Sequence, residues 1–275
     1  MSSILTNNGA MVALQTLKGI NANLSKTQDE ISTGKNVATA KDNAGVWATA
    51  KVLESDVSGF KALSNGLSVA SSAVSTARGG AEKITDLLNK MRDSIVAAQN
   101  DTADRTKLQA DIVQMRDQIT TVVESAQFNG LNLLDASVTG TFDVVSSLSR
   151  TGSTTTTGTI QVTPEDLTAA TLGIAAIDVS TAAGATTALA AIDTALQTSI
   201  DAAASFGSAG KRLELQNQFL SELQDSLKSG IGVLVDADME EASARLQALQ
   251  TQQQLGVQAL SIANQAPQSI LSLFK

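Results

Sequence analysis

Apolar residues recur every three or four positions at both ends of the chain. The C-terminal series has the a/d spacing of a coiled coil and consists of Met239, Ala242, Leu246, Leu249, Gln253, Gly256, Leu260 and Ala263. The N-terminal series predicts a helix over about residues 4–32, ending at Gly34, with a stripe formed by Ile4, Met11, Leu14, Leu17, Leu24 and Ile31. An isolated helix would leave such a stripe in water at a cost of about 25 cal/mol per Å². The two ends are therefore predicted to pack together.

Three further helices are predicted before the centre of the chain. The first begins near Lys41 and is expected to weaken or end at Gly79-Gly80. The next covers about residues 81–98 and presents Ile84, Leu87, Leu88, Met91 and Ile95. The last has the most regular heptad, formed by Leu108, Ile112, Met115, Ile119, Val122 and Ala126.

The centre of the chain, residues 128–180, is rich in Thr, Ser and Gly. Two short alternating segments, 141–145 and 159–163, predict a small β-hairpin region, and the threonine run 154–157 is interpreted as an exposed loop tip. A return helix follows from about residue 181, softened at Gly207 and Gly210, with a hinge at Gly230 and Gly232 before the terminal helix. The predicted fold is mainly α, an elongated antiparallel helical bundle or coiled coil with a small β-hairpin region and paired N- and C-terminal helices.

Composition narrows the function classes. The 275 residues are 43% hydrophobic and only 3% aromatic, which is typical of a helical bundle with a core of Leu, Ile, Val and Ala. With 19 basic and 27 acidic residues the formal net charge is −8, which argues against binding nucleic acid. No run of eighteen apolar residues occurs, and residues 1–25 lack the pattern of a Sec signal peptide, so we expect no membrane span.

Catalysis is not expected. The chain contains no His, Cys or Tyr, which removes the commonest general bases, nucleophiles and metal ligands. No nucleophile elbow, phosphate loop or dinucleotide fingerprint is present. The acidic group Asp236, Asp238, Glu240 and Glu241 is interpreted as charge at the start of a helix rather than as a metal site. We predict no catalytic residues, no cofactor and no metal.

Three segments resemble bacterial flagellins. Residues 31–45 (ISTGKNVATAKDNAG) are similar to the signature between the terminal helix and the rod domain of that family, and residues 128–134 (FNGLNLL) to the turn that closes the helical rod. Residues 263–275 (ANQAPQSILSLFK) are similar to the C-terminal ending of the family. With the heptads, the resemblance covers roughly residues 1–135 and 185–275.

The resemblance implies a subunit of the flagellar filament in its minimal form, without outer domains. Residues 1–33 and 233–275 are expected to form the two halves of an inner coiled-coil domain. A rod domain is expected to consist of N-terminal helices over 34–135, a β-hairpin and loop region over 136–180, and a C-terminal helix over 181–232. The end helices are expected to be largely disordered in the free subunit and to fold on incorporation. The implied self-assembly core is Ile4, Met11, Leu14, Leu17, Leu24, Ile31, Leu246, Leu249, Leu260, Ile270, Leu273 and Phe274.

The implied partners are other copies of this chain, in a helical homopolymer or a mixed flagellin filament, together with the flagellar export apparatus, a cytosolic flagellin chaperone, and hook-associated and cap proteins. The implied location is outside the cell, in the filament that drives swimming. Flagellins are often O-glycosylated, and the candidate acceptors are Ser146, Ser147, Ser149, Ser153, Thr154, Thr155, Thr156 and Thr157.

Two alternatives remain beside the filament subunit. A hook-filament junction protein shares flagellin-like ends, but such proteins usually diverge through the region matched by residues 128–134. A signalling helical hairpin of the chemoreceptor type also uses heptads rich in Ala, Gln and Glu. That class carries membrane spans, and none is expected here.

Overall fold

The computed structural model describes residues 7–151 and 154–273, with side chains as far as residue 265. The elements in chain order are α1 (Asn8–Thr33), α2 (Ala44–Ala98), α3 (Arg105–Ser125), β1 (Gln127–Phe128), β2 (Leu131–Asn132), β3 (Phe142–Thr151), β4 (Thr154–Val162), α4 (Ala182–Val235) and α5 (Met239–Leu273). The prediction of a mainly α fold with a small β-hairpin and paired terminal helices is confirmed.

The chain divides into two compact units. One consists of Met1–Val57 with Ser226–Lys275, and the other of Ser58–Asp225. The boundaries fall inside α2 and α4, at positions where neither helix is interrupted. The five-part domain division proposed from the sequence stays a prediction.

The second unit is built on an antiparallel pair formed by α2 and α4. Side chains meet at matching heights along the pair: Arg92 with Asp193 at 2.7 Å, and the hydroxyls of Thr85 and Ser199 at 2.9 Å. The predicted apolar positions of α2 are buried, namely Ile84, Leu87, Leu88, Met91 and Ile95. The predicted heptad of α3 is buried at every second position. Ile112, Ile119 and the C-cap Ala126 are buried, while Leu108, Met115 and Val122 are half-buried.

Gly79-Gly80 do not end a helix, so the prediction of two helices over residues 41–98 is wrong. A Cβ added to Gly80 would lie 2.5 Å from Leu134 Cδ1 and 3.2 Å from Ala126 Cβ. The missing side chain therefore lets α2 approach its neighbours closely. Burial of Ala77, Ala81, Ile84 and Leu88 on either side offsets the cost of about 1 kcal/mol for each helical glycine.

The return helix is likewise continuous. Gly230 and Gly232 lie inside α4, which ends only at Val235, so the predicted hinge at these glycines is wrong. The interruption before α5 covers residues 236–238, where Asp238 Oδ1 accepts the backbone N–H groups of Glu240 and Glu241 at 2.9 and 3.1 Å. The acidic group at this point therefore includes a helix N-cap.

The β-hairpin is longer than predicted. Strands β3 and β4 pair from Phe142↔Val162 to Thr151↔Thr154, with a bulge between Val145 and Ser147. Thr154–Thr157 belong to β4, so the interpretation of this run as a loop tip is wrong. The run has the β-branched side chains that favour a strand. A shorter hairpin, β1 with β2, turns at Asn129 (φ 52°) and Gly130 (φ 81°), as expected for the Asn-Gly dipeptide.

Candidate assembly surface

The terminal helices α1 and α5 pack antiparallel inside the first unit. Asn7 Nδ2 donates to the carbonyl of Ala263 at 2.7 Å, and Gln253 Nε2 donates to Asn21 Oδ1 at 2.7 Å. Between these two contacts, a Cβ on Gly256 would lie 3.2 Å from Leu17 Cδ1. The absence of a side chain at Gly256 therefore leaves room for Leu17.

The α5 side of this seam follows the predicted series. Ala242 and Leu249 are buried, and Leu246, Gln253, Gly256, Leu260 and Ala263 are half-buried, whereas Met239 at the start of the helix is exposed. The α1 side of the seam is buried or half-buried at Ala10, Ala13, Leu17, Ile20, Leu24, Thr27 and Ile31. Leu17, Leu24 and Ile31 belong to the predicted stripe, whereas the other four residues do not. The spacing of three and four was the available signal, but it runs through small and polar residues.

The predicted self-assembly residues divide into two sets. Leu17, Leu24, Ile31, Leu246, Leu249 and Leu260 lie in the seam within the chain. Met11 and Leu14 point away from it, with 61% and 44% of their surfaces exposed. Ile4 and Phe274 lie outside the described residues, and so do the side chains of Ile270 and Leu273.

A second apolar stripe lies exposed on α5. It consists of Ala248, Leu255, Ala259 and Ile262, at intervals of seven, four and three residues, and Leu255 and Ile262 are 59% and 69% exposed. We call these four residues the outer stripe. Each α-helical residue turns by about 100°, which places the outer stripe well to one side of the seam. The remaining face is exposed and mostly polar, with Ser243, Gln247, Gln250, Gln254, Ser261 and Gln265.

Charge is missing from this part of the chain. Residues 246–274 contain no Asp, Glu, Lys, Arg or His, and no charged side chain precedes Lys18 at the other end. Depletion of charge together with exposed aliphatic side chains is typical of the core of a protein interface. Across residues 7–151 and 154–273, no helix is both long enough and apolar enough to cross a membrane.

Charged side chains lie instead in the segment that follows α1 and in the first turns of α2. The backbone N–H and the hydroxyl of Thr39 donate to Asp42 at 2.8 and 3.0 Å, and they hold the pKa of that carboxyl below its usual value. The ammonium of Lys51, 2.6 Å from Glu54, lowers the pKa of the Glu54 carboxyl in the same way, and Lys35 adds to the effect. Within the described part of the chain, no cluster of acidic side chains could hold a metal ion.

The candidate acceptors for sugar differ in their surroundings. Ser146 is 7% exposed, and its hydroxyl donates to the carbonyl of Gly158 at 3.3 Å. Ser147 is half-buried and Ser149 is exposed. Thr154, Thr155, Thr156 and Thr157 are all exposed on β4, while Ser153 lies outside the described residues.

A pair of terminal helices that share one seam and leave an uncharged apolar stripe in water is typical of a protein that assembles through these helices. The family models described as the bacterial flagellin N-terminal helical region and C-terminal helical region match residues 4–139 and 189–274. The chain belongs to the bacterial flagellin family, and it is a structural subunit of the flagellar filament.

Relatives of similar length support this assignment. The chain is 43% identical to flagellin FljM of Caulobacter vibrioides over 279 aligned positions, which cover 100% of this chain and 99% of that protein. It is 40% identical to a flagellin of Brucella melitensis, with both chains covered fully. A solved hook-associated protein from Vibrio parahaemolyticus is similar at a TM-score of 0.53 and 14% identity, covering 70% of this chain and 99% of that one, which shows the fold alone. The filament subunit therefore fits better than the hook-associated alternative.

Proposed function

We propose that the outer stripe of α5, together with Met11 and Leu14 of α1, is the surface that neighbouring copies bury when the filament grows. The observation that carries this proposal is the exposed stripe within an uncharged stretch of α5. Burying one Leu or Ile side chain stabilises a contact by about 1.5–3 kcal/mol. Because every added subunit makes these contacts, they favour elongation of the filament over dissociation into free subunits.

The contact is heterologous, because the stripe of one copy meets a different surface of the next. A heterologous contact whose rotation does not close generates an open helical polymer. In this proposal the end helices of a free subunit, residues 4–32 and 234–275, are largely disordered and become ordered when neighbours cover them. An unordered end would also suit passage through a narrow export channel.

The other partners follow from family membership. We infer that the flagellar export apparatus secretes the chain and that a cytosolic flagellin chaperone covers its C-terminal end beforehand. We also infer that hook-associated and cap proteins contact the ends of the filament. The location is then extracellular. Leu271, Leu273 and Phe274 are proposed as the apolar positions that the chaperone and the neighbouring subunits use in turn.

Polymerisation of the purified full-length chain tests the proposal. Filaments dissociated by mild heating should regrow on short seeds and appear as tubes in electron micrographs. A chain ending at Asn264 lacks Ile270, Leu273 and Phe274, and it should fail to elongate the same seeds while its thermal unfolding stays cooperative. Normal elongation by the shortened chain would contradict the assembly role of these residues.

Glycosylation is proposed for the exposed acceptors of the hairpin. Filament protein from the native host is expected to carry extra mass on Ser149 or within Thr154–Thr157, since these hydroxyls face solvent. Ser146 is not expected to carry sugar, because it is buried and its hydroxyl is hydrogen-bonded. Intact-mass measurement followed by peptide mapping checks both statements. Sugar on Ser146, or no added mass in this region, would be the opposing result.

A further inference from the structure

The helical path is interrupted at the same height on both sides of the first unit. Helix α1 ends at Thr33 with Gly34 as its C-cap, and α4 and α5 are separated by residues 236–238. The interruptions are joined by backbone hydrogen bonds. Asn36 N–H and Val37 N–H donate to Val235 O at 2.8 and 3.3 Å, and Ala237 N–H donates to Gly34 O at 3.0 Å. We call these three bonds the backbone clamp.

The seam beside the clamp carries one steric register mark, the fit of Leu17 against Gly256, together with the hydrogen bond from Asn7 to the carbonyl of Ala263 near its far end. Small or polar side chains occupy it at Ala10, Ala13, Thr27, Gln253 and Gly256, and the Asn21–Gln253 hydrogen bond is exposed to water. Exposed hydrogen bonds contribute little net stability. A slip of one heptad would move one helix along the other by about 10 Å and would again oppose one heptad stripe to another.

Gly34 gives the clamp its geometry. Its φ of 70° is left-handed, its N–H donates to Glu30 O at 2.8 Å, and its carbonyl accepts from Ala237. A Cβ at this position would meet no heavy atom within 4 Å. Substitution by Ala therefore perturbs the backbone conformation without creating a clash.

We propose that the backbone clamp, acting together with the fit of Leu17 against Gly256, sets the register of α1 against α5. The register fixes the relative heights at which Met11 and Leu14 on one helix, and the outer stripe on the other, meet neighbouring copies. Every subunit of a helical lattice must present these positions identically. The inference rests on the proposed assembly surface and adds the element that aligns its two halves.

A pair of glycine substitutions tests the clamp in the full-length chain. Gly34→Ala forces an L side chain into the left-handed region and should slow elongation of wild-type seeds about tenfold. Gly19→Ala is the matched control, since Gly19 lies inside α1 with equally open space around it. It should elongate at least as fast as the wild type, because alanine favours a helix.

A disulfide across the clamp provides the rescue. Lys35 and Asp236 are antiparallel bridge partners that are flanked by, and not joined by, the clamp bonds. Such pairs have Cα atoms about 4.5 Å apart, within the range of disulfides. The chain has no cysteine of its own, so Lys35→Cys with Asp236→Cys creates a single possible bridge. The exposed ion pair of Lys35 with Glu54, at 3.9 Å, contributes little to stability.

Oxidation should restore the wild-type elongation rate to a chain that carries Gly34→Ala and both cysteines, and a reductant should remove the rescue. In filaments assembled under reducing conditions and then exposed to an oxidant, the bridge should form more slowly with Gly34→Ala than with Gly34 intact, which is a readout independent of the elongation rate. Equal elongation by Gly34→Ala and Gly19→Ala, no effect of oxidation, or failure of the bridge to form in filaments with Gly34 intact would each overturn the clamp. Failure of the wild-type chain to polymerise would instead overturn the proposed function.

Discussion

Replacement of Gly80 by valine is expected to lower the free energy of unfolding by about 1–3 kcal/mol, the usual cost of forcing extra atoms into a packed core. The nearest atoms to a Cβ at this position belong to Leu134 and Ala126, and both residues are buried. Leu134 is fixed further by its backbone, because its N–H donates to Asn132 Oδ1 at 2.9 Å and its carbonyl accepts from Leu167 at 2.9 Å. Because Leu134 has no exposed surface and the Cβ of Ala126 cannot rotate away, neither residue can yield without disturbing the packed core.

Gly79→Val is the matched control, one residue earlier in the same helix. A Cβ on Gly79 would meet no heavy atom within 4 Å, so the change in stability should stay within about 0.5 kcal/mol. Thermal unfolding of the full-length chain followed by circular dichroism compares the two. The Gly80 variant should melt roughly 3–10 °C below the control. Equal melting temperatures would mean that Gly80 is not needed for the close approach.

The same two glycines show where reasoning from the sequence stops. The heptads of α2 and α3 were predictable because Ile84, Leu88, Ile112 and Ile119 are large apolar residues at helical spacing, and all four are buried. A glycine carries two meanings, a weak point in a helix or a place of close contact. Only the position of Leu134 against Gly80 decides between them, and that contact spans more than fifty residues of sequence.

The threonine run failed for a related reason. Residues 154–157 are four consecutive threonines, so they lack the alternation of apolar and polar residues that predicts a half-buried strand. Each is paired with a residue of β3, from Thr151↔Thr154 to Leu148↔Thr157, and the hydroxyl of Thr156 donates to the carbonyl of Ser149 at 3.3 Å. Cross-strand pairing supplied the order that the alternating pattern did not indicate.

The packing of the terminal helices could be predicted only in outline. Large apolar residues at both ends indicated helices that need partners, but they did not separate the partner within the chain from a partner outside it. Small residues distinguish the two faces. Ala10, Ala13 and Gly256 lie in the contact between the helices, and Met11 and Leu14 remain exposed. Side-chain size, rather than hydrophobicity alone, determines which stripe lies inside.

The outer stripe can be tested with two double variants that add the same two charges to the same helix and differ only in the face of α5 that carries them. Leu255→Asp with Ile262→Asp is expected to abolish elongation at concentrations where the wild type grows. Losing the burial of two side chains costs about 3–6 kcal/mol, which raises the critical concentration at least a hundredfold. Burial of the new carboxylates would add to the penalty. Seeded growth, followed by pelleting and electron microscopy, measures the effect.

Gln254→Asp with Ser261→Asp is the control, because each position lies one residue earlier, on the exposed polar face of α5, and the variant adds the same two charges. It should retain most of the elongation activity, since a carboxylate that stays in water costs little. Both double variants should keep the wild-type melting temperature of the Ser58–Asp225 unit, which contains none of these positions. If the two variants grow equally well, the outer stripe is not buried in the filament. If the polar-face variant alone fails, neighbouring copies contact α5 on the opposite side, and the assembly surface must be reassigned to the face with Gln254.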